Sequence, residues 1–166
     1  MMVRIFTIAA TALALATAGP TFARSSSNTA AAVAKSEIAD LFADYGFAAD
    51  QRDPNAVAAL FAPEGVLAIP AVALEAQGRD AIAASFRQTW EPIAKAGQQR
   101  RHVITGLRLT AKTGSEHSFR AIMTVLGTAR DGTSQIYLNG YYTGAAVRSG
   151  KGWQFRRLEI HVDTAR

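Results

Sequence analysis

Residues 118–147 read SFRAIMTVLGTARDGTSQIYLNGYYTGAAV, and the fold turns on this stretch. Side-chain character alternates with a period of two on both sides of Asp131-Gly132, the preferred residue pair for a two-residue hairpin turn. Two long antiparallel strands, 118–130 and 134–147, are therefore expected. The same period extends outward to runs at 101–112 and 152–162, and the connectors KTGSEH and RSGKG are turn chemistry as well. A four-stranded meander of this kind must bury one face against something else.

The cover precedes it in the chain. From Ser36, the residues Ile38, Leu41, Phe42, Tyr45 and Ala49 fall on one face of a first helix. Asp53-Pro54 offers an N-cap acceptor followed by proline at the first helical position, and Val57, Leu60 and Phe61 supply the buried stripe of a short second helix, stopped by Pro63 and Gly65. A short strand is expected at 65–70 and a loop at 71–77. Gly78-Arg79-Asp80 opens a third helix whose apolar positions are Ile82, Phe86, Trp90 and Ile93, fraying at Glu91-Pro92 and Gly97. Three helices followed by a curled, mostly antiparallel sheet make an α+β fold. Long strands bent around helices leave a cone whose inside is a ready pocket.

Composition narrows the function classes. With 166 residues, 49% of them hydrophobic, the chain has enough apolar content for one domain with a core and is too short for two of ordinary size. Arg4, an uncharged run over 5–18, Gly19-Pro20 and the small-x-small triplet Thr21-Phe22-Ala23 form a secretory leader cut after Ala23. The expected organisation is a signal peptide over 1–23, a flexible lead-in over 24–35 (small and polar, without a large apolar anchor) and a domain over 36–166. The expected location is the periplasm or the exterior. The leader run is shorter than the roughly 20 apolar residues that span a bilayer, so no stable membrane insertion is expected. There is no cysteine, so stability must come from packing. The net charge of +5, one less without Arg4, is scattered and not massed with aromatics, which argues against nucleic acid as a partner.

The segments IADLFADYGFAADQRDPNAVAALFAPEGVLAIP, GRDAIAASF, RRHVITGLRL and YLNGYYTGAAVRSGKGWQFRRLEIHVD, in that order, resemble the SnoaL-like family of the NTF2-like superfamily over roughly residues 36–163. The elements that carry the resemblance are Tyr45, Asp50 and Asp53 at their spacing, the Gly78-Arg79-Asp80-Ala81-Ile82 helix start, and Arg101-His102-Val103. It implies a cone-shaped α+β barrel and a small, largely apolar ligand. In dehydratase-like and cyclase-like members, a tyrosine and an aspartate of helix one meet a histidine of the first long strand. Tyr45, Asp50 and His102 match those positions. The implied chemistry is cofactor-free, metal-free acid–base catalysis, with a carboxylate orienting an imidazole that moves the proton and Tyr45 donating to a developing enolate oxygen. Asn139 matches an asparagine that helps to hold a substrate oxygen, and Tyr141, Phe86 and Trp90 are expected to complete the binding surface. A homodimer through the outer sheet face is expected.

Two departures limit the resemblance. Gly106 stands where the family often has asparagine, and Ile69 precedes Pro70 where steroid-isomerase members place their basic aspartate. Each candidate also has a plain structural role open to it: Tyr45 and His102 as satisfied core residues, Asp50 as a solvated helix-end group. Asp53 is fully accounted for as an N-cap. His161 and Asp163 step by two on the last strand, but two ligands without a third make no metal site. Two main readings remain: an acid–base dehydratase, isomerase or cyclase, and a non-catalytic binding or interaction domain of the same fold; a third, which the resemblance to dioxygenase small subunits implies, is a subunit of a larger redox complex.

Overall fold

The computed structural model describes the backbone of residues 20–163, with side chains placed except at 20–27 and 111–112. Helix α1 spans Pro20–Gln51, α2 Pro54–Ala59 and α3 Arg79–Lys95; the strands are β1 Phe61–Ile69, β2 Leu74–Gln77, β3 Gln99–Thr113, β4 Glu116–Thr128, β5 Ser134–Ser149 and β6 Gly152–Val162. The four long strands stand where the alternation put them. They join β1 and β2 in one six-stranded sheet of order β2-β1-β6-β5-β4-β3, antiparallel except for the parallel β1–β6 pair. The sheet is curved but does not close, and the helices cover its concave face.

Helix α1 corrects the expected lead-in. It is already helical at Pro20 and runs through residues 24–35, with Ala34 buried ahead of Ile38, Leu41, Phe42, Tyr45 and Ala49. Alanine-rich sequence has high helix propensity and needs no large anchor when a helix already follows it. The expected signal peptide over 1–23 lies outside the described residues except for 20–23, which begin α1. Among those described, no helix is long and apolar enough to cross a membrane.

Helix α2 is shorter than its pattern suggested. Asp53 caps it through Oδ1, which accepts the Asn55 and Ala56 amides at 3.0 and 2.9 Å. It stops at Ala59 because the Leu60 carbonyl accepts the Phe155 amide at 2.9 Å, which pulls Phe61 into pairing with β6. Phe61 is fully buried in the sheet instead of on a helical stripe. Pro63 and Gly65, which read as helix stops, occupy the register shift between Phe61 and Val66; a side chain at Gly65 would press on the Phe155 carbonyl. Residues 71–77 are also not a plain loop: a 3-10 turn at Pro70–Val72 leads into edge strand β2. Helix α3 continues through Pro92 to Lys95, past the expected fraying point, and buries Ile82, Ala83, Phe86 and Trp90.

The interior holds a cluster of rings. Phe42 meets Phe119, Phe155 and Tyr142 with centroids 5.0, 5.2 and 5.7 Å apart, and Tyr45 joins through Tyr142 and Phe155 at 5.7 and 6.0 Å. On β5, Gly144 lets the β6 backbone approach closely, because a Cβ there would collide with the Arg157 carbonyl. That close approach lies where the β5–β6 register shifts, between Ala145 and Ala146. Both features accompany the bending of the sheet around the rings.

Candidate active site

Asp50 is the penultimate residue of α1, and His102 lies on the concave side of β3, paired across the ladder with buried Val125. The start of β3 is tied to the helix end. The Gln99 side chain donates to the Asp50 carbonyl at 3.0 Å, and the Arg52 guanidinium donates to the Gln98 carbonyl at 2.8 Å. Asp50 Oδ1 then accepts twice from His102, from its backbone amide at 3.0 Å and from Nδ1 at 2.7 Å. Both side chains are nearly buried, 11% and 12% exposed. Arg101 reaches Asp50 Oδ2 at 3.9 Å from an exposed position.

This geometry fixes the imidazole. A carboxylate can only accept, so Nδ1 carries a proton, and in the neutral ring Nε2 then presents its lone pair. No described residue hydrogen-bonds to Nε2. The pair opens onto a groove of about 270 Å³ between α1 and β3, lined by Ala39, Phe42, Ala43, Gly46, Phe47 and Ile104. The groove exists because Ala39, Ala43 and Gly46 put small side chains on the helix face toward β3, in line with Asp50. That run of small residues at helical spacing was readable in the sequence and was missed. Phe47, 66% exposed, stands at the rim.

The other predicted residues lie elsewhere. Tyr45 is 1% exposed and touches His102 only ring to ring, centroids 6.1 Å apart and edge-on, with no hydrogen bond to either member of the pair. Burial pushes its hydroxyl well above the ordinary tyrosine range; Tyr142 partly opposes the shift and the Asp50 charge adds to it. Tyr142 is raised likewise, mainly by burial. Its hydroxyl finds no partner in hydrogen-bonding geometry, although the two phenols sense one another. Phe86 packs against Trp90 at 4.7 Å in the core, and Trp90 floors a separate cleft beside Arg52 and Arg87. Neither lines the groove beside His102.

Asn139 and Tyr141 are corrected outright. They share a face, as the period of two requires, but it is the convex one, because the buried residue between the neighbouring strands is Tyr142. Asn139 Oδ1 accepts from Thr124 at 3.0 Å. Tyr141 stacks on His161 at 4.6 Å, with the Arg120 guanidinium 4.4 Å over its ring. His161 Nε2 sits 2.9 Å from the Thr143 hydroxyl and 3.2 Å from Glu159, whose carboxyl the Arg157 guanidinium holds below the usual range.

A family model for the SnoaL-like domain matches residues 30–159. The chain belongs to the SnoaL-like family. Solved structures agree on the fold of this SnoaL-like domain. An NTF2-like protein of Novosphingobium aromaticivorans with a cystatin-like fold superposes with a TM-score of 0.74 at 23% identity, covering 89% of this chain and 94% of its own. A proposed scytalone dehydratase of the same organism gives 0.70 at 22% identity over 82% and 89% of the two chains. ActVI-ORFA of Streptomyces coelicolor gives 0.70 at 19% identity over 77% and 96%. No protein of curated function matches the sequence significantly.

Proposed function

We propose that this SnoaL-like domain is an acid–base enzyme acting on a small, largely apolar carbonyl or hydroxyl compound, with His102 as the proton-transferring group and Asp50 as its orienting carboxylate. The observation that carries the reading is the 2.7 Å Asp50–His102 bond at the end of an apolar groove, with Nε2 left unbonded. Nε2 removes a proton from the carbon next to the substrate carbonyl. It then returns that proton either to a departing β-hydroxyl, which leaves as water, or, where the substrate is a β,γ-unsaturated carbonyl compound, to the γ-carbon of the dienolate. The first route is a dehydration and the second an isomerisation; each balances without a further reactant. Burial strengthens the Asp50–imidazolium attraction that develops as the proton moves. The fold-level likeness to a proposed scytalone dehydratase fits the first route.

The test is deuterium exchange at the carbon next to the carbonyl, followed by NMR, and loss of water from a panel of β-hydroxy ketones. The intact protein accelerates one of them, and His102→Ala and Asp50→Asn each lower the rate by about 10²–10⁴-fold with an unchanged circular dichroism spectrum. Equal rates in all three proteins would remove the dyad from the mechanism. The second reading, a binding domain without turnover, is favoured by the rings of Phe42, Phe119, Tyr142 and Phe155 that fill the interior. It predicts retained ligand and no exchange.

A further inference from the structure

The first half of α1 carries a feature that the dyad does not use. Ala30, Ala31 and Ala34 leave a second groove, about 690 Å³, between the helix and the hairpin ends of the sheet. It is separated from Asp50 along the helix: Asp50 lies sixteen positions after Ala34, about 24 Å of rise. His117 and Trp153 are among its lining residues, their rings in edge contact at 5.1 Å.

His117 is the unusual member. It is 7% exposed on the concave face of β4, and its Nδ1 is wholly buried without a hydrogen-bond partner. No described residue bonds to its Nε2, which is not among the sealed atoms and is therefore the nitrogen open to a ligand in the groove. A sealed Nδ1 without a partner is costly, and native structures rarely leave one so. The neighbouring polar groups, by contrast, are all committed. Glu37 accepts the Trp153 Nε1 hydrogen at 2.9 Å and both Arg148 nitrogens at 2.9 and 3.1 Å. That clamp ties α1 to the β5–β6 hairpin, holds the indole upright and neutralises the charge at the rim.

We propose that this groove is a second binding site, for an uncharged, flat, mostly apolar compound carrying one hydroxyl, with His117 as the group that recognises the hydroxyl. The chemistry follows from the parts. Alanine walls and an indole edge accept a flat apolar body. A neutral imidazole offers one donor and one acceptor, and a hydroxyl answers either tautomer. A carboxylate ligand would face Glu37, whose own charge already holds Arg148 through two hydrogen bonds, so a neutral ligand is favoured.

The site is tested by calorimetric titration with 4-propylphenol, with propylbenzene as the probe lacking the hydroxyl. The intact protein binds the phenol more tightly than the hydrocarbon. His117→Phe keeps the ring and weakens the phenol by about tenfold, leaving the hydrocarbon unchanged. Ala31→Phe, at an exposed helix position, fills the groove and removes both. His102→Ala leaves both affinities intact, which separates this site from the dyad. The proposal is overturned by a phenol affinity that His117→Phe and Ala31→Phe do not alter, by one that His102→Ala abolishes, or by the lack of any phenol binding.

Discussion

Two aspartates three residues apart, Asp50 and Asp53, carry opposite duties. Asp53 spends its oxygen on two amides at the start of α2, and that accounts for it completely. Asp50 spends its oxygen on the backbone and ring of a histidine fifty-two positions away. The two substitutions should therefore separate stability from activity. Asp53→Ala lowers unfolding free energy by about 1 kcal/mol, measured by urea denaturation, and leaves turnover untouched. Asp50→Asn keeps an acceptor for the His102 amide and holds the fold, while the rate falls. A stability loss at position 50 as large as that at position 53, without a rate effect, would make Asp50 a second structural cap.

At the scale of elements, the core tyrosines give a pH prediction. Tyr45 and Tyr142 are both raised above the ordinary value near 10, mainly by burial. A raised folded value means that the native state holds the proton more tightly than the unfolded chain. The stabilisation is thus fully present below about pH 10 and is lost as pH climbs toward the folded values. Thermal melts should fall steeply above about pH 10, and the slope should shrink in Tyr142→Phe. The same variant loses a hydroxyl that has no partner, so at neutral pH it melts no lower than the parent. A parent melt that stays flat through about pH 12 would contradict the burial of these phenols. These elements also mark what the sequence could and could not reveal. Strands β3 to β6 and the face of α1 from Ile38 to Ala49 were legible, because alternation and helical spacing report burial directly. The end of α2 was not, because Phe61 satisfies a helical stripe and a strand equally well until β6 offers its Phe155 amide. Strand β2 was hidden for a different reason: Leu74 to Gln77 has weak strand propensity and is held by pairing with β1 alone. Which face of β5 points inward could not be read from a period of two, and so Asn139 and Tyr141 were placed on the wrong side.

At the scale of the whole molecule, the convex face is the surface still unexplained. Its outward positions on adjacent strands include Val103, Ile122 and Ile136, 44%, 55% and 60% exposed. Val103 pairs with Thr124 and Ile136 with Leu126, so the three fall within a few residues of one another along β4. Beside them lie Arg120, its guanidinium over the Tyr141 ring, and Glu159, paired with Arg157 and His161. An apolar strip of this kind on an open sheet face suits a self-complementary contact, in which a two-fold axis through β4 sets each strip on its copy. Sedimentation at micromolar concentration should show a dimer. Ile122→Lys places two like charges near the axis and should yield a monomer with an unchanged circular dichroism spectrum. Because Ile122 points away from α1, that monomer keeps the Asp50–His102 groove, and its rate should match the dimer's. A parent protein that sediments as a monomer would assign the strip to another role. A dimer that survives Ile122→Lys would move the contact to another surface.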